Sequence, residues 1–195
     1  MSWIVCASGS EVDPFSMGPK DVRLYEVAHS LAHQGRYAGH AAKFWSVARH
    51  SLLVHDILLF DLQATAGELY EGLLHDAHEA YCQDLVSPNK RRLLDYQALE
   101  DHCWRRVREA FSLPPEQSEK VRVADLMALR HERDRLLPWH RPWPVLEGIA
   151  APSTLAWLGY GCPVDVVAPD PWDDMVRVRE RFRYLVEAYQ RILEV

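Results

Sequence analysis

The sequence predicts an all-α protein: a helical bundle with a short N-terminal β-hairpin and a Pro/Trp-rich loop region before the last helix. Three observations carry this. Apolar residues recur at helical spacing through most of the chain. The two stretches that lose the period are dense in Gly and Pro. At 195 residues with 48% apolar side chains, the chain suits one domain, 1–195, with a sizeable core.

Trp3 to Pro19 alternates weakly and holds Gly9, Pro14, Gly18 and Pro19, so one or two short strands are expected there. Asp21 is placed as the N-cap of a helix through Leu24, Val27, Ala28 and Leu31, which Gly35 ends. Ala41 to Phe60 is the next predicted helix, with Phe44, Val47, Ala48, Leu52 and Leu59 at helical spacing. Thr65 to Tyr81 is the third, with Leu69, Leu73, Ala77 and Ala80 on one side, and Ser87-Pro88-Asn89 breaks the chain after it. Asp95 to Phe111 is the fourth, apolar at Leu99, Cys103, Val107 and Ala110, and Pro114-Pro115 stops it. Glu116 to Leu137 is the fifth. Pro138 to Pro171 leaves no long helix; its Trp residues are expected to anchor it over the site or in a subunit contact. Asp173 to Leu193 closes the chain as an amphipathic helix.

Composition narrows the function classes. A net charge of −6 gives no dense basic face for sequence-independent binding, so no polymeric nucleic acid is expected as partner. Cys6, Cys82, Cys103 and Cys162 form no CxxC pair, which fits reduced thiols in a cytoplasmic protein better than a zinc knuckle or disulfide framework. Neither a secretory signal nor an apolar run near the ~20 residues that span a bilayer is visible, so no membrane partner is expected. The phosphate loop, the dinucleotide fingerprint, HExxH and the GxSxG elbow are all missing.

The chemistry concentrates in Leu73-Leu74-His75-Asp76-Ala77-His78-Glu79. On a continuous helix, His75 and Glu79 are four apart and Asp76 and Glu79 three apart, so all three can face one cleft. His50 lies one helix earlier and Asp125 sits mid-helix between Ala124 and Leu126. A carboxylate in an apolar helical stretch needs a partner. Taken singly, a histidine there is usually a hydrogen-bonded core residue and Asp125 a partner for an arginine. Together, His50, His75, Asp76 and Asp125 can hold one divalent cation, and two N with two O donors suit Mn, Co, Fe, Ni or Zn better than Ca or Mg.

The order His … His-Asp … Asp resembles the HD-domain metal phosphohydrolases. Arg36-Tyr37, Phe44 to Ser51 and Leu74 to Leu85 are similar to their 5′-deoxynucleotidase branch. Lys90-Arg91-Arg92 and Trp143 to Gly148 are similar to prophage-encoded members, and phage HD-type dATP triphosphohydrolases share these motifs. The resemblance implies an HD helical bundle, a homo-oligomer, one divalent transition metal ion on His50, His75, Asp76 and Asp125, and a small deoxynucleotide substrate. It implies Glu79 as the catalytic carboxylate, Asp84 as a second one near the attacking water, and Arg36 on the substrate phosphate. Tyr37 stands where the family carries a Trp or Phe that crowds the sugar. Lys90 and His40 are further phosphate-contact candidates. The family's turn after Asp84 lacks its first Pro here, at Val86, and His78 replaces a small residue.

Three activities fit this resemblance: release of phosphate from deoxynucleoside 5′-monophosphates, release of triphosphate from a dNTP such as dATP, and silent nucleotide binding. Several residues are set aside. His29 and His33 are expected to edge a helix near the site, and His78 to lie at its rim or behind the ligands. His55, His102, His131 and His140 read as surface or structural. Arg130 to Arg135, a run of mixed sign, reads as a solvated face.

Overall fold

The computed structural model describes residues 3–137, 141–153 and 171–195, with side chains from 175 onward in the last stretch. It is mostly helical, with one small hairpin at the N-terminus. Strand β1 (Ile4–Val5) pairs antiparallel with β2 (Glu11–Val12), with Ile4 opposite Val12. Gly9, at φ +85°, makes the turn between them in the left-handed region.

Helix α1 runs Leu24–His33. Asp21 does not cap it: its carboxylate accepts the Gly18 N–H at 2.8 Å and closes a separate single turn over Pro19–Asp21. Extended backbone at Val22 and Arg23 divides the two, and the Arg23 N–H donates to the Tyr81 hydroxyl at 3.2 Å. The helix ends at Gln34, one residue before Gly35.

The chain then doubles back. Gly35 bridges Ser46, and the Arg36 N–H donates to the Trp45 carbonyl at 2.9 Å. Residues 41 to 45 are thus engaged in this loop and do not open the next helix, as their apolar spacing predicted. Helix α2 (Val47–Phe60) starts where the Ser46 hydroxyl accepts the Arg49 N–H. It is buried on nearly every face, packed against α1 and, further along the chain, α3 (Ala66–Leu74), α7 (Glu119–Leu136) and α8 (Pro171–Leu193). Thr65 and Glu68 form the capping box of α3.

The predicted single helix from Thr65 to Tyr81 is two helices. After α3, residues 75–78 form a tightened turn, and α4 spans Glu79–Cys82. Its backbone bonds run three residues back: Ala77 N–H to Leu74 O, Glu79 N–H to Asp76 O, Tyr81 N–H to His78 O. Ser87–Lys90 forms a short helix, α5, where a break was predicted; its Pro88 lies in the first turn, where a missing N–H costs nothing. Helix α6 covers Leu94–Ala110. Ser118 caps α7, so that helix begins two or three residues later than its acidic start at Glu116 implied.

Two apolar clusters fill the interior. One joins α1, α3, α6 and α8 through Leu31, Leu73, Cys103 and Phe182; the other joins α2 to α7 through Leu53, Ile57, Ala124 and Ala128. Buried Arg108 on α6 donates to Glu71 on α3 at 2.8 Å, and Glu71 also receives the Ser118 N–H at the start of α7. His55 is structural: it bonds Asp56 and the Tyr189 hydroxyl, joining α2 to α8. Among the described residues, no helix is long and apolar enough to cross a membrane. Most of the predicted Pro/Trp-rich loop, with His140 and Cys162, lies outside the described residues; the part seen at 141–153 has a single helical turn at Pro144–Leu146.

Candidate metal centre

Three elements bring the four expected ligands together: α2 supplies His50, the turn after α3 supplies His75 and Asp76, and α7 supplies Asp125. His50 Nε2 lies 3.0 Å from Asp125 Oδ1 and 3.7 Å from Asp76 Oδ2. His75 Nε2 lies 3.1 Å from Asp76 Oδ2 and 4.0 Å from Asp125 Oδ1. The two imidazole rings are 5.2 Å apart.

The far nitrogens fix the near ones. His50 Nδ1 donates to Glu132 Oε1 at 2.7 Å, and His75 Nδ1 donates to the Gly72 carbonyl at 2.8 Å. Each Nδ1 proton is therefore held away from the centre, and both Nε2 atoms face the aspartates, with His50 Nε2 in hydrogen-bond contact with Asp125 Oδ1. His75 Nε2 is buried without a hydrogen-bond partner despite the nearby Asp76 oxygen. A buried imidazole nitrogen left unpaired among carboxylates fits a cation; His50, His75 and Asp76 form a group that could hold one metal ion, with Asp125 Oδ1 3.0 Å from His50 Nε2.

Glu132 is the residue that sequence reasoning missed. It lies inside the mixed-sign run assigned to a solvated face, yet it is fully buried. Besides His50, its carboxylate accepts Trp45 Nε1 at 2.9 Å, Arg36 Nε at 3.1 Å and the Tyr37 hydroxyl at 2.5 Å. Its only sequence signal was position: Glu132 lies seven residues, two helical turns, after Asp125, and so shares its face. Burial alone would raise its pKa, but the charges of Arg36 and His50 win and hold it at about 2. Burial and Arg36 both lower the His50 pKa; Glu132 and Asp125 outweigh them and raise it to about 9.

Arg36 and Tyr37 reach the centre from the returning loop. Arg36 Nη1 stands 3.7 Å from Asp76 Oδ2. Tyr37 and Ala38 take left-handed φ values of 58° and 52°, a strained backbone for side chains other than Gly. The Glu132 bond to the Tyr37 hydroxyl ties that turn down.

Glu79 and Asp84 flank the ligands. The tightened turn at 75–78 brings Asp76 close enough for its charge to act on Glu79. Glu79 is buried, and its Oε2 has no hydrogen-bond partner. Burial first, then the charges of Asp76 and Asp84, push its carboxyl well above the usual range. Burial raises Asp84 as well. Gln34 holds this segment: its amide donates to the Glu79 carbonyl at 3.0 Å, and its oxygen accepts the Asp84 N–H at 3.1 Å. Gln83 between them sits at φ 70°, a third strained residue beside the site.

A cleft of about 680 Å³ opens beside the centre, lined by Arg36, Tyr37, His40, Asp84, Arg91 and Trp143 among others. His40 is thus on the cleft wall, as is Arg91. Lys90 is turned elsewhere and pairs with Glu100 on α6. His29 and His33 stack at 4.1 Å and border a different pocket, beneath the hairpin. His78 is not at the rim but buried, with Nε2 3.7 Å from Glu100 Oε1.

The chain is 40% identical over 152 residues to "Uncharacterized protein YfdR" of Escherichia coli (strain K12), covering 77% of this chain and 82% of that one. It is 31% identical over 144 residues to "Uncharacterized protein RCAP_rcc00048" of Rhodobacter capsulatus, covering 69% of this chain and 73% of that one. This chain belongs to the same family as YfdR. No family model matches it.

Proposed function

We propose that the protein is a metal-dependent phosphohydrolase of the HD-domain type that releases phosphate from 2′-deoxynucleoside 5′-monophosphates. The observation that supports this best is the pair of buried imidazoles, each with Nδ1 anchored and Nε2 turned toward Asp76 and Asp125, with Glu79 unpaired beside them.

His50, His75, Asp76 and Asp125 would hold the ion. When bound, it would supply Lewis-acid polarisation of a phosphoryl oxygen and acidify a water. The chain does the rest. Arg36, fixed at Nε by Glu132 and with Nη1 near Asp76, turns its guanidinium toward the cleft to meet phosphate oxygens; a planar fork suits that task better than an ammonium. Glu79 takes the proton of the attacking water and passes it to the leaving 5′-oxygen, and its raised pKa suits a group that must both accept and return a proton. Asp84 orients that water. Tyr37, pinned by Glu132, walls the sugar side of the cleft. The cleft volume of about 680 Å³ suits one nucleotide.

One observation favours a second reading. Arg91 also lines the cleft, so positive charge extends beyond Arg36, which a triphosphate would use. Incubation with Mn or Co and a panel of dNMPs and dNTPs, followed by chromatography, separates the readings. Phosphate plus nucleoside is expected; triphosphate plus nucleoside selects the second reading, and no product with any substrate sinks both. Glu79→Ala is expected to keep the ion on His50, His75, Asp76 and Asp125 while turnover falls by roughly two to four powers of ten.

A further inference from the structure

His78, Glu79 and Glu100 form a second group of metal-type donors next to the first. Each offers one donor atom, and the three lie within 4.8 Å of one another. His78 comes from the tightened turn, Glu79 from α4 and Glu100 from α6, so the group bridges two packed helices. His78 and Glu79 are both more than nine-tenths buried. His78 Nδ1 has no hydrogen-bond partner, and its Nε2 stands 3.7 Å from Glu100 Oε1, too far for a hydrogen bond. Glu79 Oε2 is also unpartnered. A cation between them would satisfy a buried imidazole and a buried carboxylate left unpaired side by side.

Charge points the same way. Asp76, Glu79, Asp84, Glu100, Asp125 and Glu132 crowd these two groups, against the cationic Arg36 and Lys90. With histidines neutral, one divalent ion at the first centre removes half of the remaining negative charge and leaves the other half. A phosphate ester entering the cleft would worsen that excess.

We infer that His78, Glu79 and Glu100 bind a second divalent metal ion, distinct from the one on His50, His75, Asp76 and Asp125. One nitrogen and two carboxylate oxygens suit Mn, Fe, Co or Zn. Lys90 now neutralises Glu100, and the incoming ion displaces its ammonium, releasing it toward the bound anion. The site stands on its own donors and does not depend on which phosphate ester is cleaved.

The test counts ions. Full-length protein is stripped with chelator, loaded with Mn, passed through gel filtration and analysed by elemental mass spectrometry. Two ions per wild-type chain are expected, and one in both His78→Ala and Glu100→Gln. Anomalous diffraction at the Mn edge is expected to place the second peak among these three side chains, which keeps the proposal testable if a variant fails to fold. One ion in the wild type, lost in His75→Ala, would overturn the second site and leave the first standing. No ion in the wild type would overturn both. Two ions retained in both variants, or a second peak elsewhere, also overturns it.

Discussion

At the scale of single residues, Glu132 decides whether the centre is preorganised. It is fully buried and anchors an imidazole, an indole, a phenol and a guanidinium at once. Glu132→Ala would strand Arg36 without its buried counter-charge, a loss of about 3–5 kcal/mol measured by urea unfolding. Glu132→Gln keeps the shape but removes the charge behind His50, so metal affinity is expected to fall roughly 10–100-fold. Metal affinity unchanged in that variant would mean that the carboxylate does not tune His50. The convergence of His50, His75, Asp76 and Asp125 was legible because a His-Asp pair, a mid-helix His and a mid-helix Asp are rare in apolar surroundings. Glu132 was hidden because four charged neighbours surround it in sequence, and sequence does not say which side of a mixed-sign helix faces inward.

At the scale of elements, the tightened turn after α3 is set by its neighbours. The Gly72 carbonyl takes the His75 ring N–H, and Gly72 itself lies against α2. A Cβ there would sit 2.2 Å from Leu58 Cδ1, and Leu58 is fully buried. Ordinarily Gly to Ala gains about 1 kcal/mol in a helix interior. Here overpacking is expected to win, so Gly72→Ala costs about 1–3 kcal/mol net and shifts the turn that carries His75. A stabilised Gly72→Ala with normal metal uptake would show that α3 can move off α2 freely. Helical periodicity predicted where α3 begins and where α6, α7 and α8 lie to within a few residues, but ran the α3 helix on to Tyr81, past its end at Leu74. It could not show that residues 41–45 are pinned by the returning loop, nor that a histidine side chain interrupts the Thr65–Tyr81 helix. Both depend on contacts across the fold, which a local period does not encode.

For the whole molecule, the proposed metal centre would couple folding to metal. Its ligands come from α2, the turn between α3 and α4, and α7, and Arg36 brings in the returning loop. None of these are neighbours in the unfolded chain, so the ion binds the folded state alone and stabilises it by mass action. At an ion concentration a hundred times Kd this amounts to about 2.7 kcal/mol. For a chain of this size that corresponds to a rise in Tm of roughly 5–10 °C. The rise is expected to grow with pH. Without the ion, His50 is raised from 6.5 to about 9 by its carboxylate partners, so its charged pairing stabilises fully below pH 6.5 and is lost as pH climbs through about 9. The ion must displace that proton, so its own contribution runs the opposite way and is larger where the proton is weakly held. Differential scanning fluorimetry with Mn from pH 6 to 9 reads both trends. His75→Ala is expected to abolish the ion-dependent rise and leave the His50 trend, and a Tm indifferent to the ion in the wild type would refute ligation by these helices.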